Sequence, residues 1–176
     1  MDNTPAIVYL SILLALLLGA GFSIFRQILK TRKSENALSR LQKKLTKEKG
    51  TTQEHYELGA IYLDKKLYAQ ALAELQKAIK AAEQEGEEKI ALIYNALGFA
   101  YSSQEQYDLA IRQYKEALKH DPNYVTALNN LAHVYERKNL TAQALQTYEQ
   151  ALQSEPNNNT AKRRAELMRK RLVTSA

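Results

Sequence analysis

Histidine and carboxylate side chains are the residues of this 176-residue chain most able to do chemistry, and their spacing supports none. The three histidines, His55, His120 and His133, are far apart, and none belongs to an HxxH or HExxH pattern that would bring two imidazoles onto one metal ion. The chain has no cysteine, which excludes thiolate metal sites and cysteine nucleophiles. No glycine-rich phosphate loop or Ser-His-Asp set can be assigned. We therefore expect no catalytic, metal or cofactor site, no small-molecule substrate, and a protein that is not an enzyme.

An acidic cluster, Glu85, Glu87 and Glu88, is the nearest approach to a cation site. These carboxylates lie in a predicted loop without the ligand spacing that a calcium or magnesium site needs. A solvated loop is the interpretation we favour.

Charge is distributed unevenly along the chain. Residues 26–49 contain nine basic and two acidic side chains, a net charge of +7, and residues 162–171 carry a net charge of +5. The segment between them, residues 50–156, carries −5. Nucleic-acid-binding domains place their positive charge on the folded binding face, so this distribution argues against nucleic acid as a partner.

The elements that position these residues begin with an apolar segment. Residues 6–25, AIVYLSILLALLLGAGFSIF, contain no charge. About 20 residues at ~1.5 Å each cross the hydrocarbon core of a bilayer, and a helix satisfies its own backbone hydrogen bonds there. The alternative is a cleaved signal peptide, but such peptides begin with a basic region, whereas this chain begins MDNTP. We predict a retained, single-pass transmembrane helix.

The flanks of the apolar segment predict its orientation. All nine basic residues of 26–49 follow the segment and none precedes it, which places the remainder of the chain on the cytoplasmic side or its organellar equivalent. Residues 26–51 are predicted to form a basic helical linker with Leu38, Leu41 and Leu45 at helical spacing. This linker could lie on an anionic leaflet or serve as a solvated spacer, and the sequence leaves both open.

The rest of the chain repeats itself with a period of 34 residues. Residues 91–124 and residues 125–158 have side chains of matching size at corresponding positions. An earlier copy starts near Thr52 and ends in a longer link. The matching pairs are Leu97 and Leu131, Gly98 and Ala132, Tyr101 and Tyr135, Ala110 and Ala144, Tyr114 and Tyr148, Ala117 and Ala151, and Pro122 and Pro156. Such regularity predicts a solenoid of similar units.

These positions resemble the tetratricopeptide repeat. The resemblance implies two antiparallel helices per repeat, with small residues such as Gly98 and Ala132 where the helices approach closely. It predicts an all-α fold: the transmembrane helix, a right-handed α-solenoid of three repeats (52–90, 91–124 and 125–158, together 52–158) and a C-terminal capping helix. That cap, residues 159–176, has Ala165, Leu167, Met168 and Leu172 as apolar positions. Its basic run is interpreted as a solvated cap, with a membrane or nucleic-acid contact as the alternative.

The same resemblance implies a concave groove that binds protein. Repeat positions 2, 5, 6, 9, 12 and 13 of the first helix point into such a groove. The residues predicted to contact a partner are Asn95, Phe99, Ser102, Asn129, Asn130, His133, Glu136 and Arg137. Phe99 and Asn129 are the favoured contacts, because an exposed ring binds an apolar side chain and an amide can pair with a peptide backbone. Burial of Phe99 against the next repeat is the alternative.

The architecture as a whole is similar to the small photosystem I assembly proteins of thylakoid membranes in cyanobacteria and plastids. This resemblance implies a single-pass scaffold, with its repeats on the cytoplasmic or stromal side, that holds a photosystem I subunit or subcomplex during assembly. Two alternatives remain: a tethered receptor or adaptor in protein import or bacterial envelope machinery, and an RNA-binding repeat protein.

Overall fold

A computed structural model of the protein describes residues 4–86 and 90–174, which form eight helices. They are α1 Thr4–Leu45, α2 Thr52–Asp64, α3 Tyr68–Glu85, α4 Ile90–Ser103, α5 Tyr107–His120, α6 Val125–Arg137, α7 Thr141–Ser154 and α8 Asn159–Thr174. The predicted all-α fold class is confirmed. Glu87 and Glu88 of the acidic cluster lie outside the described residues, as do residues 1–3 and 175–176. The chain divides into two compact units, Met1–Lys47 and Glu48–Ala176.

The first unit contains α1, an unbroken helix through residues 25 and 26, where the predicted span meets the predicted linker. Among the described residues, α1 is the one helix long and apolar enough to be a candidate membrane span. Its most apolar stretch has a mean hydropathy of 2.0 and is not buried. Leu10, Leu17 and Phe22 are each more than 60% exposed. The boundary between span and linker, like the other predicted domain limits, remains a prediction.

The second unit consists of three helical hairpins, α2 with α3, α4 with α5 and α6 with α7, followed by α8. The same turn closes each hairpin. The residue two positions before the second helix has a left-handed backbone in each turn, at Lys66, Glu105 and Asn139, with φ near 60°. In each case the next residue donates a backbone hydrogen bond across the turn: Leu67 to Tyr62, Gln106 to Tyr101 and Leu140 to Tyr135, at 2.8–3.0 Å. Identical turns at the same repeat position give the three hairpins one geometry.

Small residues allow the two helices of each hairpin to pack closely. Each second helix has fully buried alanines at the same two repeat positions, which are Ala71 and Ala78, Ala110 and Ala117, and Ala144 and Ala151. A Cβ atom added to Gly98 would lie 2.6 Å from the ring of Tyr114, and one added to Gly59 would lie 2.8 Å from Leu75 Cγ. The predicted packing role of these small residues therefore has a direct steric basis.

The first helices form the inner wall of the stack. Helix α4 contacts both α2 and α6, whereas within residues 4–86 and 90–174 no contact of similar extent joins α3 to α5 or α5 to α7. Helices that are closer together lie on the inside of a curve. The inner wall is therefore the surface formed by α2, α4 and α6.

We expect Gly98→Ala to lower the free energy of unfolding of the repeats by about 1–3 kcal/mol, because the buried Tyr114 ring must move. This loss opposes the gain of about 1 kcal/mol that alanine normally brings to a helix interior. Gly21→Ala is the control, since nothing lies within 4 Å of its added Cβ. Urea unfolding of the full-length protein in detergent, followed by circular dichroism, measures both. Equal stability of the two variants would contradict the packing described here.

Candidate protein-binding groove

The predicted groove residues lie on α4 and α6, two neighbouring helices of the inner wall. Phe99 is 45% exposed, so the alternative that it is buried against the next repeat is wrong. His133 and Arg137 are also exposed, and Ser102 is half-buried. These four residues present an apolar ring, a hydroxyl, an imidazole and a cation on one surface.

The asparagines of the inner wall bind to one another. Asn130 Nδ2 donates to Asn95 Oδ1 at 3.0 Å, and Asn95 Nδ2 lies 3.4 Å from the hydroxyl of Tyr124. Two of the amides predicted to contact a partner thus also connect α4 to α6. Asn129 differs, because its buried Oδ1 has no hydrogen-bond partner among the described residues. An unsatisfied buried carbonyl is unusual, which makes Asn129 the amide of this set with an unused acceptor.

Glu136 does not present a free charge to the groove. Its Oε1 accepts a hydrogen bond from the Tyr148 hydroxyl at 2.6 Å, and its Oε2 accepts one from Arg164 of α8 at 3.3 Å. Only 8% of the Glu136 side chain is exposed. Burial, together with the hydrogen bond to Glu136 and its negative charge, raises the pKa of Tyr148 well above its usual 10.0. The prediction for Glu136 therefore has to be corrected from partner contact to internal pairing, because a buried carboxylate needs its donors within the fold.

A cavity of about 220 Å³ lies between α4, α5 and α6, lined by Phe99, Ser102, Tyr107, Tyr114, His133 and Arg137 among others. Repeat position 12 holds Ser102 here, whereas the next repeat holds Glu136. Serine is smaller than glutamate, so the space next to the Tyr114 ring stays open. In the following repeat, the Glu136 side chain fills the equivalent space next to Tyr148. The cavity is large enough to admit one side chain of a partner.

Arg137 forms the cationic side of this cavity. Its guanidinium lies 5.6 Å from the centre of the Tyr107 ring and 3.1 Å from the Glu105 carboxylate. Both members of the Arg137–Glu105 pair are more than half exposed, so the pair contributes little to stability and can be exchanged for a partner's carboxylate. The groove prediction did not include Tyr107, Tyr114 or Tyr124. Tyr114 is one of the residues that recur with the 34-residue period, and it is buried.

The three histidines have three separate environments. His55 Nδ1 lies 2.7 Å from Glu74 Oε2 between α2 and α3. Burial raises the pKa of Glu74, but Lys77 and His55 outweigh it and hold the pKa below its usual value. His120 stacks on Tyr94 with the ring centres 5.5 Å apart, and His133 lies in the groove. Within the described residues, no group of three metal-ligating side chains occurs.

A second cavity was not predicted. It measures about 350 Å³ and is lined by residues of α3, α4 and α5, including Ile79, Tyr94, Leu97 and Tyr101. Helix α3 is 18 residues long, against 14 for α5 and α7. The sequence signal was the longer link at the end of the first repeat.

Helical hairpins stacked with a 34-residue period and an open inner wall define the class of tetratricopeptide repeat proteins, which are typically non-enzymatic scaffolds that bind other proteins. Residues 51–123 and 95–159 both match tetratricopeptide repeat families. Ycf37 of Cyanophora paradoxa is 36% identical over 168 residues, which cover 96% of this chain and 97% of that protein. The chain belongs to the tetratricopeptide repeat family and, within it, to the ycf37 proteins.

Other relatives and structures agree with this assignment. Ycf37 of Guillardia theta is 38% identical over 74% of each chain. The chloroplastic tetratricopeptide repeat protein PYG7 of Arabidopsis thaliana is 38% identical over 74% of this chain and 43% of its own length. MamA has a TM-score of 0.72 at 21% identity, with 80% of each chain covered. The first repeat domain of Spaghetti (RPAP3), solved with an HSP90 peptide, has a TM-score of 0.64 at 18% identity over 72% of this chain and 96% of its own. These two structures confirm the fold.

Tyr148→Phe is expected to lower the free energy of unfolding by about 1–3 kcal/mol, because the buried Glu136 carboxylate loses a donor. Tyr114→Phe, at the same position of the preceding repeat, should cost less, since burial alone raises the pKa of Tyr114 and no hydrogen bond is lost. Urea unfolding followed by circular dichroism compares the two. Equal losses would contradict the assigned Glu136–Tyr148 pair.

The same variants also test the pH dependence. The folded-state pKa of each tyrosine is raised, so its contribution is fully present below the unfolded pKa near 10.0 and is lost as the pH rises above it. Above that pH, each phenylalanine variant should lose less stability than the parent protein does.

Proposed function

We propose that the protein is a membrane-anchored scaffold that assists photosystem I assembly by holding a subunit or subcomplex. The observation that carries this proposal is the match to ycf37 of Cyanophora paradoxa along 96% of the chain, which extends from the repeats into the apolar helix. The similarity to a chloroplastic repeat protein of Arabidopsis thaliana supports a photosynthetic membrane as its location.

The properties of α1 support the anchor. The large apolar side chains that the structure describes between residues 9 and 25 are all more than 50% exposed. An apolar surface of that size is costly in water. The basic residues begin at Arg26, directly after the apolar segment. In a thylakoid membrane, the positive-inside rule would then place the repeats on the stromal or cytoplasmic side.

The inner wall supports the scaffold role. It combines the exposed Phe99, the adjoining cavity of about 220 Å³ and the exposed polar side chains of His133 and Arg137. An apolar contact that provides affinity and polar groups that set the register are what recognition of a polypeptide segment requires. The first repeat domain of Spaghetti (RPAP3), which has a similar fold, was solved with a bound HSP90 peptide, and this supports the binding of a polypeptide by a fold of this kind.

We expect the protein to co-migrate with a photosystem I assembly intermediate when thylakoid membranes are solubilised in mild detergent and separated on native gels. Phe99→Ala should reduce the co-migrating fraction about tenfold, because Phe99 is the most exposed large apolar side chain of α4 and α6. Leu109→Ala is the matched control, an exposed apolar residue (37%) on the second helix α5. Unchanged levels of photosystem I in a deletion strain would count against this proposal. Recovery of import or envelope machinery in its place would support the alternative receptor role.

The anchor is tested separately by alkaline extraction of membranes. The full-length protein should remain with the lipid, whereas the double variant Leu14→Arg and Leu17→Arg should be released, because each arginine costs about 2.5–3.5 kcal/mol at the centre of a span. The matched control replaces Arg32 and Lys33, which lie beyond the apolar segment, with glutamine. Release of the parent protein by the alkaline wash would contradict the anchor.

A further inference from the structure

Helix α8 occupies the position of a first helix in a fourth repeat. Its buried residues Ala161, Ala165 and Met168 lie 34 residues after Ala127, Leu131 and Val134 of α6, and all six are at most 4% exposed. Helix α8 packs on α7 as α6 packs on α5. The repeat register therefore continues through α8, and each of its faces can be compared with the corresponding face of α6.

One exposed face of α8 corresponds to the side that a first helix turns towards its own second helix. Lys162, Glu166 and Arg169 stand where α6 has the buried Leu128, Ala132 and Tyr135. Arg169 forms an ion pair with Glu149 of α7 at 2.6 Å, which locates this face on the α7 side. Its charges are of both signs, as expected for a surface that only has to be soluble.

The other exposed face of α8 continues the inner wall. Arg163, Arg164, Leu167, Lys170 and Arg171 stand 34 residues after Asn129, Asn130, His133, Glu136 and Arg137. The contact of Arg164 with Glu136 at 3.3 Å locates this face on the α6 side. All four of its charged residues are basic, and Leu167 between them is 41% exposed. The two faces of one short helix thus differ in charge as well as in direction, with net charges of +1 on the α7 side and +4 on the inner side.

Much of this positive charge is uncompensated. Arg164 is paired with Glu136, and Lys170 with Glu166 on its own helix. Within residues 4–86 and 90–174, no carboxylate lies within ion-pair distance of Arg163 or Arg171, both of which are exposed. Arg137 of α6 extends the same basic surface towards the cavity at Phe99. Solubility does not require four like charges on one side of a helix. The pattern therefore indicates that this face binds an anionic ligand.

We propose that the inner face of α8 extends the groove and that the partner segment held there is an acidic polypeptide with apolar side chains between its carboxylates. This inference rests on the proposed function and specifies the chemistry of the partner. Carboxylates would pair with Arg163, Arg171 and Arg137, and apolar side chains would contact Leu167 and enter the cavity beside Phe99. Exposed charges of this kind contribute chiefly to selectivity and the rate of association, while the apolar contacts provide affinity.

The geometry favours a polypeptide over the other anionic partners. A planar bilayer cannot follow the inner wall of a curved stack. For single-stranded RNA, the exposed rings of α4 and α6 that could stack on bases are Phe99 and His133, because Tyr114 is buried and Arg137 covers the ring of Tyr107. The exposed apolar residues Phe99 and Leu167 match the side chains of a polypeptide.

The test uses the full-length protein in detergent and three fluorescent peptides of equal length, in which leucine and phenylalanine alternate with glutamate, serine or lysine. Fluorescence anisotropy should show binding of the glutamate peptide at least tenfold tighter than that of the other two. Arg163→Glu and Arg171→Glu should each weaken it by about tenfold. Lys162→Glu is the control, since it makes the same charge change one residue away on the α7 side and should alter binding less than twofold. Thermal unfolding confirms that all variants remain folded.

Several outcomes would overturn the inference. They are failure of all three peptides to bind, equal binding of all three, and equal effects of Arg163→Glu and Lys162→Glu. Two further results would assign the face to another partner, provided that each is lost in Arg163→Glu. Binding of a uridine oligonucleotide tighter than that of the glutamate peptide would assign it to nucleic acid, and binding of phosphatidylglycerol vesicles tighter than that of phosphatidylcholine vesicles would assign it to lipid. No photosystem component is present in this assay, so its failure is distinguishable from failure of the co-migration experiment.

Discussion

The distance between the two helices of each hairpin is the constraint on which the rest of the structure depends. Gly98 faces the ring of Tyr114, and the space for even one methyl group is missing there. On the second helices, the small residues of the same packing are buried alanines. Because every hairpin is closed by the same left-handed turn and packed at the same small residues, the three hairpins share one internal geometry and can stack on one another. The inner wall is the accumulated result of that repetition.

The inner wall has two regions with different chemistry. Around α4 it carries the exposed Phe99 and a cavity that is open because serine replaces a larger residue at position 12. Towards α8 it becomes basic, while the segment 50–156 has a net negative charge. A partner that satisfies both regions has to combine apolar and acidic groups. The net charge of +6 of the whole chain does not reveal the basic region at α8, because the linker alone carries +7.

Residues of the candidate site were predictable to different degrees. Phe99, His133 and Arg137 are exposed on the inner wall, where the repeat positions placed them. Glu136 occupies a groove position but turns to Tyr148 and Arg164, and Asn95 and Asn130 bind each other across two helices. Repeat position specifies the direction of a Cα–Cβ bond. It does not specify which polar neighbours a long side chain will reach once the helices are packed.

The sequence alone determined the helical class, the apolar segment, the period of 34 residues and the small residues at the helix crossings, because these depend on residue type and local spacing. Only the tertiary structure separated the solvated face of α8 from its inner face. Both faces belong to one basic run, residues 162–171, and they are told apart by the helix that each one meets. Ion pairs to Glu149 and Glu136 join residues 20 and 28 positions apart in the chain, and such long-range contacts exist only after the hairpins have stacked.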